Sequence, residues 1–159
     1  MVETVYEQFA AAAKTSPDLS FLCYPASNDR GYLPEGAEFS YSQAYKITKR
    51  LAARYLEAGY GPGHRVALLL GNRPDHFWHL LALNSIGASV VPLNPAYLDH
   101  ELEYAIEFGS CSLVATTAER HNDLSRVCAN MSQIVSVFDV DEDHEPVPAP
   151  AHKANSAPD

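Results

Sequence analysis

The chain has 159 residues, 47% of them hydrophobic and 19% charged, with a formal net charge of −9 at pH 7. That balance suits one globular domain with its own core, and it excludes partners that select Lys- and Arg-rich surfaces, nucleic acids and anionic membranes among them. Cys23, Cys111 and Cys128 are odd in number, widely spaced and without a C-x-x-C pair, the pattern of reduced thiols in a cytoplasmic protein rather than of a disulfide framework or a zinc site.

The N-terminus, MVETVYEQFAAAAKTSPD, lacks the basic start and apolar core of a secretion signal. No apolar run approaches the ~20 residues of a transmembrane helix. Val5, Phe9, Ala12 and Ala13 set up an amphipathic helix instead, followed by a short strand, Phe21 to Tyr24, and a loop containing Asn28, Gly31, Pro34 and Gly36. Ser40-Tyr41-Ser42-Gln43 forms a capping box, in which hydroxyl and amide side chains satisfy each other's backbone N–H groups. The helix it opens buries Ala44, Ile47, Leu51, Ala52 and Tyr55 and ends at Gly59, a residue type suited to the left-handed turn after a helix. Four apolar runs then start near Arg65, Ser89, Ser112 and Ile134, at spacings of 24, 23 and 22 residues. Helices fill the gaps: one capped by Asn72, with Pro74 in its first turn, and closed by Gly87; one capped by Asp99 and closed by Gly109; one from about Ala118 to Asn130. This alternation implies right-handed βαβ units, hence an α/β fold whose predominantly parallel sheet is covered by helices on both faces. The acidic group Asp139, Asp141, Glu142, Asp143 and Glu145 has the look of a solvated loop, and EPVPAPAHKANSAPD that of an extended, poorly ordered linker. The expected organisation is therefore 1–38, N-terminal helix, strand and loop; 39–140, βα repeat; 141–159, acidic and then Pro/Ala-rich linker.

The common nucleotide and nucleophile motifs are missing: no G-x-x-x-x-G-K-[ST], no G-x-G-x-x-G after a strand, no G-x-S-x-G. Gly61-Pro62-Gly63 precedes a strand, the wrong end for a phosphate, and is expected to be a turn. His76 and His79 have helical spacing but no third metal ligand at a recognisable distance, so packing explains them better. Asp99, His100, Glu101 and Glu103 gather at a helix start, where capping and the helix dipole account for acidic residues. Arg73 and Arg120 fall just beyond the carboxyl ends of strands, where a cation can meet a phosphate, but so do many surface arginines. No catalytic, cofactor-binding or metal-binding residue is assigned on these grounds.

In one fixed order the chain carries Phe39-Ser40-Tyr41, Gly59, Gly63-His64-Arg65-Val66-Ala67, Asn72-Arg73-Pro74-Asp75, Gly87-Ala88 and Pro92-Leu93-Asn94-Pro95. Together these resemble the opening segment of the AMP-forming acyl-CoA synthetases, members of the adenylate-forming, AMP-binding superfamily. His64 departs from the commoner Asp, in a turn. The likeness continues more loosely through Glu101-Leu102 and Leu113-Val114-Ala115-Thr116. The resemblance implies the N-terminal subdomain of an enzyme that joins a small carboxylic acid or fatty acid to CoA through an acyl-adenylate, using ATP, Mg²⁺ and CoA. The family's phosphate loop, adenine pocket, ribose-binding Asp and catalytic Lys have no counterpart here, and Thr116-Thr117 lacks the Gly and Lys residues of that loop. The chain by itself is thus expected to be inactive and to need no cofactor. His76 to Ile86 (HFWHLLALNSI) is apolar around most of its circumference, and is expected to leave an exposed face that pairs with the rest of the enzyme or self-associates. The alternatives are a non-catalytic, flavodoxin-like binding or interaction module sharing only the βα period, and a remnant that pairs with a separately encoded catalytic chain.

Overall fold

In chain order the computed structural model, which describes residues 4–142, 144–152 and 154, comprises α1 (Val5–Thr15), β1 (Ser20–Tyr24), β2 (Ala37–Ser40), α2 (Tyr41–Glu57), β3 (Arg65–Leu69), α3 (Pro74–Ser85), β4 (Ser89–Pro92), α4 (Asp99–Phe108), β5 (Leu113–Thr116), α5 (Ala118–Ala129) and β6 (Ser136–Asp139). Strands β3 to β6 pair in parallel in the order β4-β3-β5-β6. Because side chains alternate across a strand, each strand feeds two cores. Val66 and Leu68 join Leu51, Tyr55, Trp78 and Leu83 beneath α1, α2 and α3; Ala67 and Leu69 join Leu102, Ile106, Leu124 and Val127 beneath α4 and α5. Both faces are covered, as the apolar runs require.

Outside this sheet β1 and β2 form an antiparallel ribbon, with Leu22 opposite Phe39 and Tyr24 opposite Ala37. The sequence reading left β2 inside a loop, because four residues, AEFS, carry no usable alternation. Aromatic contacts dock the ribbon: Phe39 and Phe21 lie 5.1 and 6.0 Å from the Trp78 ring, and Phe9 lies 5.0 Å from Phe21.

The Ser40 capping box forms as expected, Gln43 N–H donating to Ser40 Oγ (3.3 Å) and Ser40 N–H to Gln43 Oε1 (2.8 Å). Gly59 and Gly87 take the expected positive φ, 98° and 76°. Asn72 does not cap α3. Proline at the first helical position holds its predecessor extended, so Arg73 becomes the boundary residue without a side-chain cap. Asp99 is likewise inside α4; the boundary is Leu98, whose N–H donates to Glu101 Oε2 (2.8 Å). After α4 the left-handed residue is Ser110 (φ 48°), not Gly109. Gly109 answers to space instead, since a Cβ there would meet Ala105 O at 2.8 Å. The last strand begins at Ser136, two residues late, with Ile134 left 71% exposed.

Two expectations about surfaces change. Helix α3 is largely covered: Trp78, Leu81, Ala82 and Leu83 are buried against α1, α2 and the β1/β2 ribbon, while Phe77 stays 41% exposed. Exposed large side chains are scattered over the surface, and those in and beside α4 include Leu98 63%, Tyr104 67% and Phe108 78% exposed. The segment after Asp141 is extended but packed: Val147 is buried in the first core, Arg54 donates to Glu145 O (2.6 Å) and the Tyr60 hydroxyl to Pro148 O (3.0 Å). Asp143, Lys153 and residues 155–159 of the expected linker lie outside the described residues.

Candidate functional site

The strand order creates one topological switch point. From β3 the chain leaves towards β4 by way of α3 on one face; from β5 it leaves towards β6 by way of α5 on the other. In open α/β sheets ligands gather in the crevice outside the carboxyl ends at such a point. Here that crevice is a cavity of about 700 Å³ whose walls include Arg30, Tyr32, Arg73, Pro95, Arg120 and Asp141. A second cavity of about 780 Å³, reaching His76, Phe77 and Asn94, shares Gly71 and Pro95 with it.

Arg73 anchors the crevice. Its Nε donates to Asp75 Oδ2 (3.0 Å), its Nη1 and Nη2 meet the two Asp141 oxygens, and its guanidinium stacks 3.6 Å from the centre of the Tyr32 ring. Asp141 also accepts the Ala118 N–H (3.0 Å), placing a carboxylate at the positive end of α5. Burial works against charge on both partners, yet their hydrogen bonds outweigh it: Arg73 moves up and Asp141 down from their ordinary pKa values. Burial first, and then the Asp75 carboxylate, push the Tyr32 phenol up to about 12, so it stays neutral. Arg30 lies 3.8 Å over the Tyr24 ring. Arg120 Nη1 donates to Pro95 O (3.2 Å). The Nε atoms of Arg30 and Arg120 are buried without a hydrogen-bond partner, the latter having only a 3.8 Å ion-pair approach from Asp123.

The crevice thus brings together Arg73 and Arg120, the two cations marked in the sequence. It does not unite the others. His79 is buried, its Nδ1 sharing a hydrogen bond with the Tyr55 hydroxyl at 2.7 Å, whereas His76 is half-buried against Phe77. Asp99 pairs with Arg126 (2.9 Å), and Gly61-Pro62-Gly63 is the expected turn, closed by His64 N–H to Gly61 O (3.1 Å). Thr116 is spent on Leu69 O (3.2 Å). Cys111 and Cys128 are buried, and burial pushes their thiols up to about 12 and about 11, far from reactive thiolates. Among the described residues no cluster of three His, Cys, Asp or Glu forms. The crevice gathers three arginines, Arg30, Arg73 and Arg120, of which Arg73 is paired with two carboxylates.

Arg30, Tyr32 and Asp141 were not found from sequence. They come from irregular segments, and Asp141 reaches the crevice only because β6 pairs with β5, Val140 N–H donating to Thr116 O (2.8 Å). Replacing Asp141 with Ala leaves Arg73 half-paired and α5 uncapped. A loss of about 1–3 kcal/mol in urea unfolding is expected; a change below about 0.5 kcal/mol, the ordinary surface range, would contradict this clamp.

Comparison with known proteins gives a match to the family described as AMP-binding enzyme over residues 9–159. The chain is 35% identical over 82 residues to the acyl-CoA ligase sidI of Beauveria bassiana, covering 52% of this chain and 14% of that protein. It is 34% identical over 82 residues to the crotonobetaine/carnitine–CoA ligase of Citrobacter koseri, covering 52% and 16%. In structure it resembles the N-terminal domain of FACL13 from Mycobacterium tuberculosis, with a TM-score of 0.77 at 18% identity, over 98% of this chain and 38% of that one. The matched regions thus span only about a sixth or less of the two curated ligases.

Proposed function

The chain belongs to the AMP-binding enzyme family, and from that membership we propose that it is the N-terminal part of an ATP-dependent acyl-CoA synthetase. The reaction of the whole enzyme joins a small carboxylic acid or fatty acid to ATP, releasing pyrophosphate, and CoA then displaces AMP from the acyl-adenylate. The observation that carries this reading is the family match over residues 9–159, together with acyl-CoA ligase relatives of which the matched regions span 14% and 16%. In the same reading residues 1–38 brace the βα repeat of 39–140, residues 141–159 form an acidic and then Pro/Ala-rich linker, and the protein is cytoplasmic, which its free thiols support.

ATP, Mg²⁺ and CoA are proposed for the whole enzyme, and none for this chain alone. The residues present fit a phosphate better than a metal: Arg30 and Arg120 each carry a buried Nε lacking a hydrogen-bond partner. In the whole enzyme Arg120, with Arg30 beside it, would hold a phosphate of CoA, which supplies the thiol. Arg73, neutralised by Asp75 and Asp141, positions the crevice wall.

The test is acyl-dependent ATP–pyrophosphate exchange. The chain alone is expected to give none, and exchange is expected once the remainder of the enzyme is supplied. Exchange by the chain alone would overturn the claim of inertness; none after complementation would favour the flavodoxin-like module. In the complemented enzyme Arg120→Glu should raise the KM for CoA about tenfold, the equivalent of one lost charge-assisted contact, with exchange unchanged.

A further inference from the structure

We propose that the trough between α4 and the β4 edge is a docking site for an amphipathic helix whose flanks carry Lys or Arg. Helix α4 is apolar on two sides. Leu102 and Ile106 are buried in the second core, while Tyr104 and Phe108 point away from it, their rings stacked at 5.6 Å and 14°. Beside that ring pair lies a cavity of about 940 Å³, lined by Val91 of β4, by Tyr104, Ala105 and Phe108 of α4, and by the charged side chains of Arg65 and Glu101. Apolar surface gathered around so large a trough marks an interaction site more often than idle surface.

Three observations select the occupant. The first is Pro92. In a parallel strand each residue's N–H and C=O point to the same side, and Ser89 and Leu93 both donate to the β3 side, at His64 O just before that strand and Leu68 O within it. Val90 and Pro92 therefore face outward, and Pro92 has no N–H. An edge with a single outward donor resists an added strand, so the trough suits a helix rather than β-augmentation.

The second is charge. Helix α4 carries Asp99, which pairs with Arg126, and Glu101, Glu103 and Glu107, three carboxylates set against one cation in the trough lining, Arg65. Helical spacing places Glu101 and Glu107 on either side of the ring pair. Two copies of this face would oppose like charges, and an anionic bilayer would be repelled, whereas basic flanks would be drawn in. The third is the ring pair itself, exposed and aromatic, the residue class that dominates binding energy when leucines close over it.

The test uses two leucine-striped helical peptides of about five turns, one flanked by Lys and one by Glu, titrated against the 159-residue chain by fluorescence anisotropy. The Lys-flanked peptide is expected to bind at least about tenfold tighter than its Glu-flanked twin. The double variant Tyr104→Ser/Phe108→Ser, altered only at exposed positions, should keep the wild-type far-UV spectrum and melting temperature while losing about tenfold in affinity. Equal binding of both peptides, equal binding of a leucine-free Lys peptide, or indifference to the double substitution would overturn the proposal. So would a dimer in sedimentation that Phe108→Ser dissociates, since a second copy would then be the occupant.

Discussion

Trp78→Ala is expected to lower the unfolding free energy by about 3–5 kcal/mol, the range for deleting a buried aromatic ring. The ring is 5% exposed and stands where three parts of the chain meet. It belongs to α3, faces Phe39 of β2 edge-on at 5.1 Å and lies 6.0 Å from Phe21 of β1, which in turn contacts Phe9 of α1. Its removal opens a cavity and also frees the β1/β2 ribbon, which has no hydrogen-bonded partner in the main sheet. In a chain of this length the melting temperature should fall by about 10 °C. Far-UV circular dichroism is the proper probe, because Trp78 is the only tryptophan and its fluorescence disappears with it. A loss below about 1 kcal/mol would contradict this account of how the ribbon is attached.

Acidification is expected to destabilise the protein well above the carboxylate range, through His79. Burial first, and then the positive charges of Arg54, His76 and Arg73, lower its pKa to about 3, against 6.5 for a free imidazole. The Tyr55 phenol, which burial pushes upward, remains protonated and shares a hydrogen bond with Nδ1 at 2.7 Å. Above pH 6.5 both folded and unfolded chains hold neutral histidine and nothing is lost. Below it the unfolded chain binds a proton that the folded chain refuses until about pH 3, so stability falls by roughly 1.4 kcal/mol per pH unit. Between pH 7 and pH 5 that amounts to about 2 kcal/mol. His76, half-buried and also lowered by burial, adds in the same direction. Urea unfolding across this interval measures the slope, and Tyr55→Phe/His79→Leu should flatten it. An unchanged slope in the double variant would reject His79 as its source.

Much of the architecture was legible because period and punctuation agreed. Strands near Arg65 and Ser89, the Ser40 capping box and the Gly59 and Gly87 turns are all where local pattern places them. Boundaries that depend on one residue's backbone were less legible: Arg73 rather than Asn72 opens α3, and Ser110 rather than Gly109 makes the left-handed turn. The site was legible only in half. Arg73 and Arg120 announce themselves by following strands, whereas Arg30, Tyr32 and Asp141 sit in segments with no period to place them.

Local sequence determined the secondary structure and the parallel sheet because hydrophobic period, capping side chains and glycine backbone freedom act within a few residues. Which surface remained uncovered was decided only in three dimensions. Most of the apolar girth of α3 is hidden by α1, α2 and the β1/β2 ribbon, with only Phe77 among its large apolar side chains exposed, whereas Tyr104 and Phe108 of α4 stand 67% and 78% exposed. Only the register of β6 against β5 brings Asp141 to Arg73. The physical reason is that burial and charge pairing depend on distances between segments far apart in the chain, which strand order sets and no local window contains.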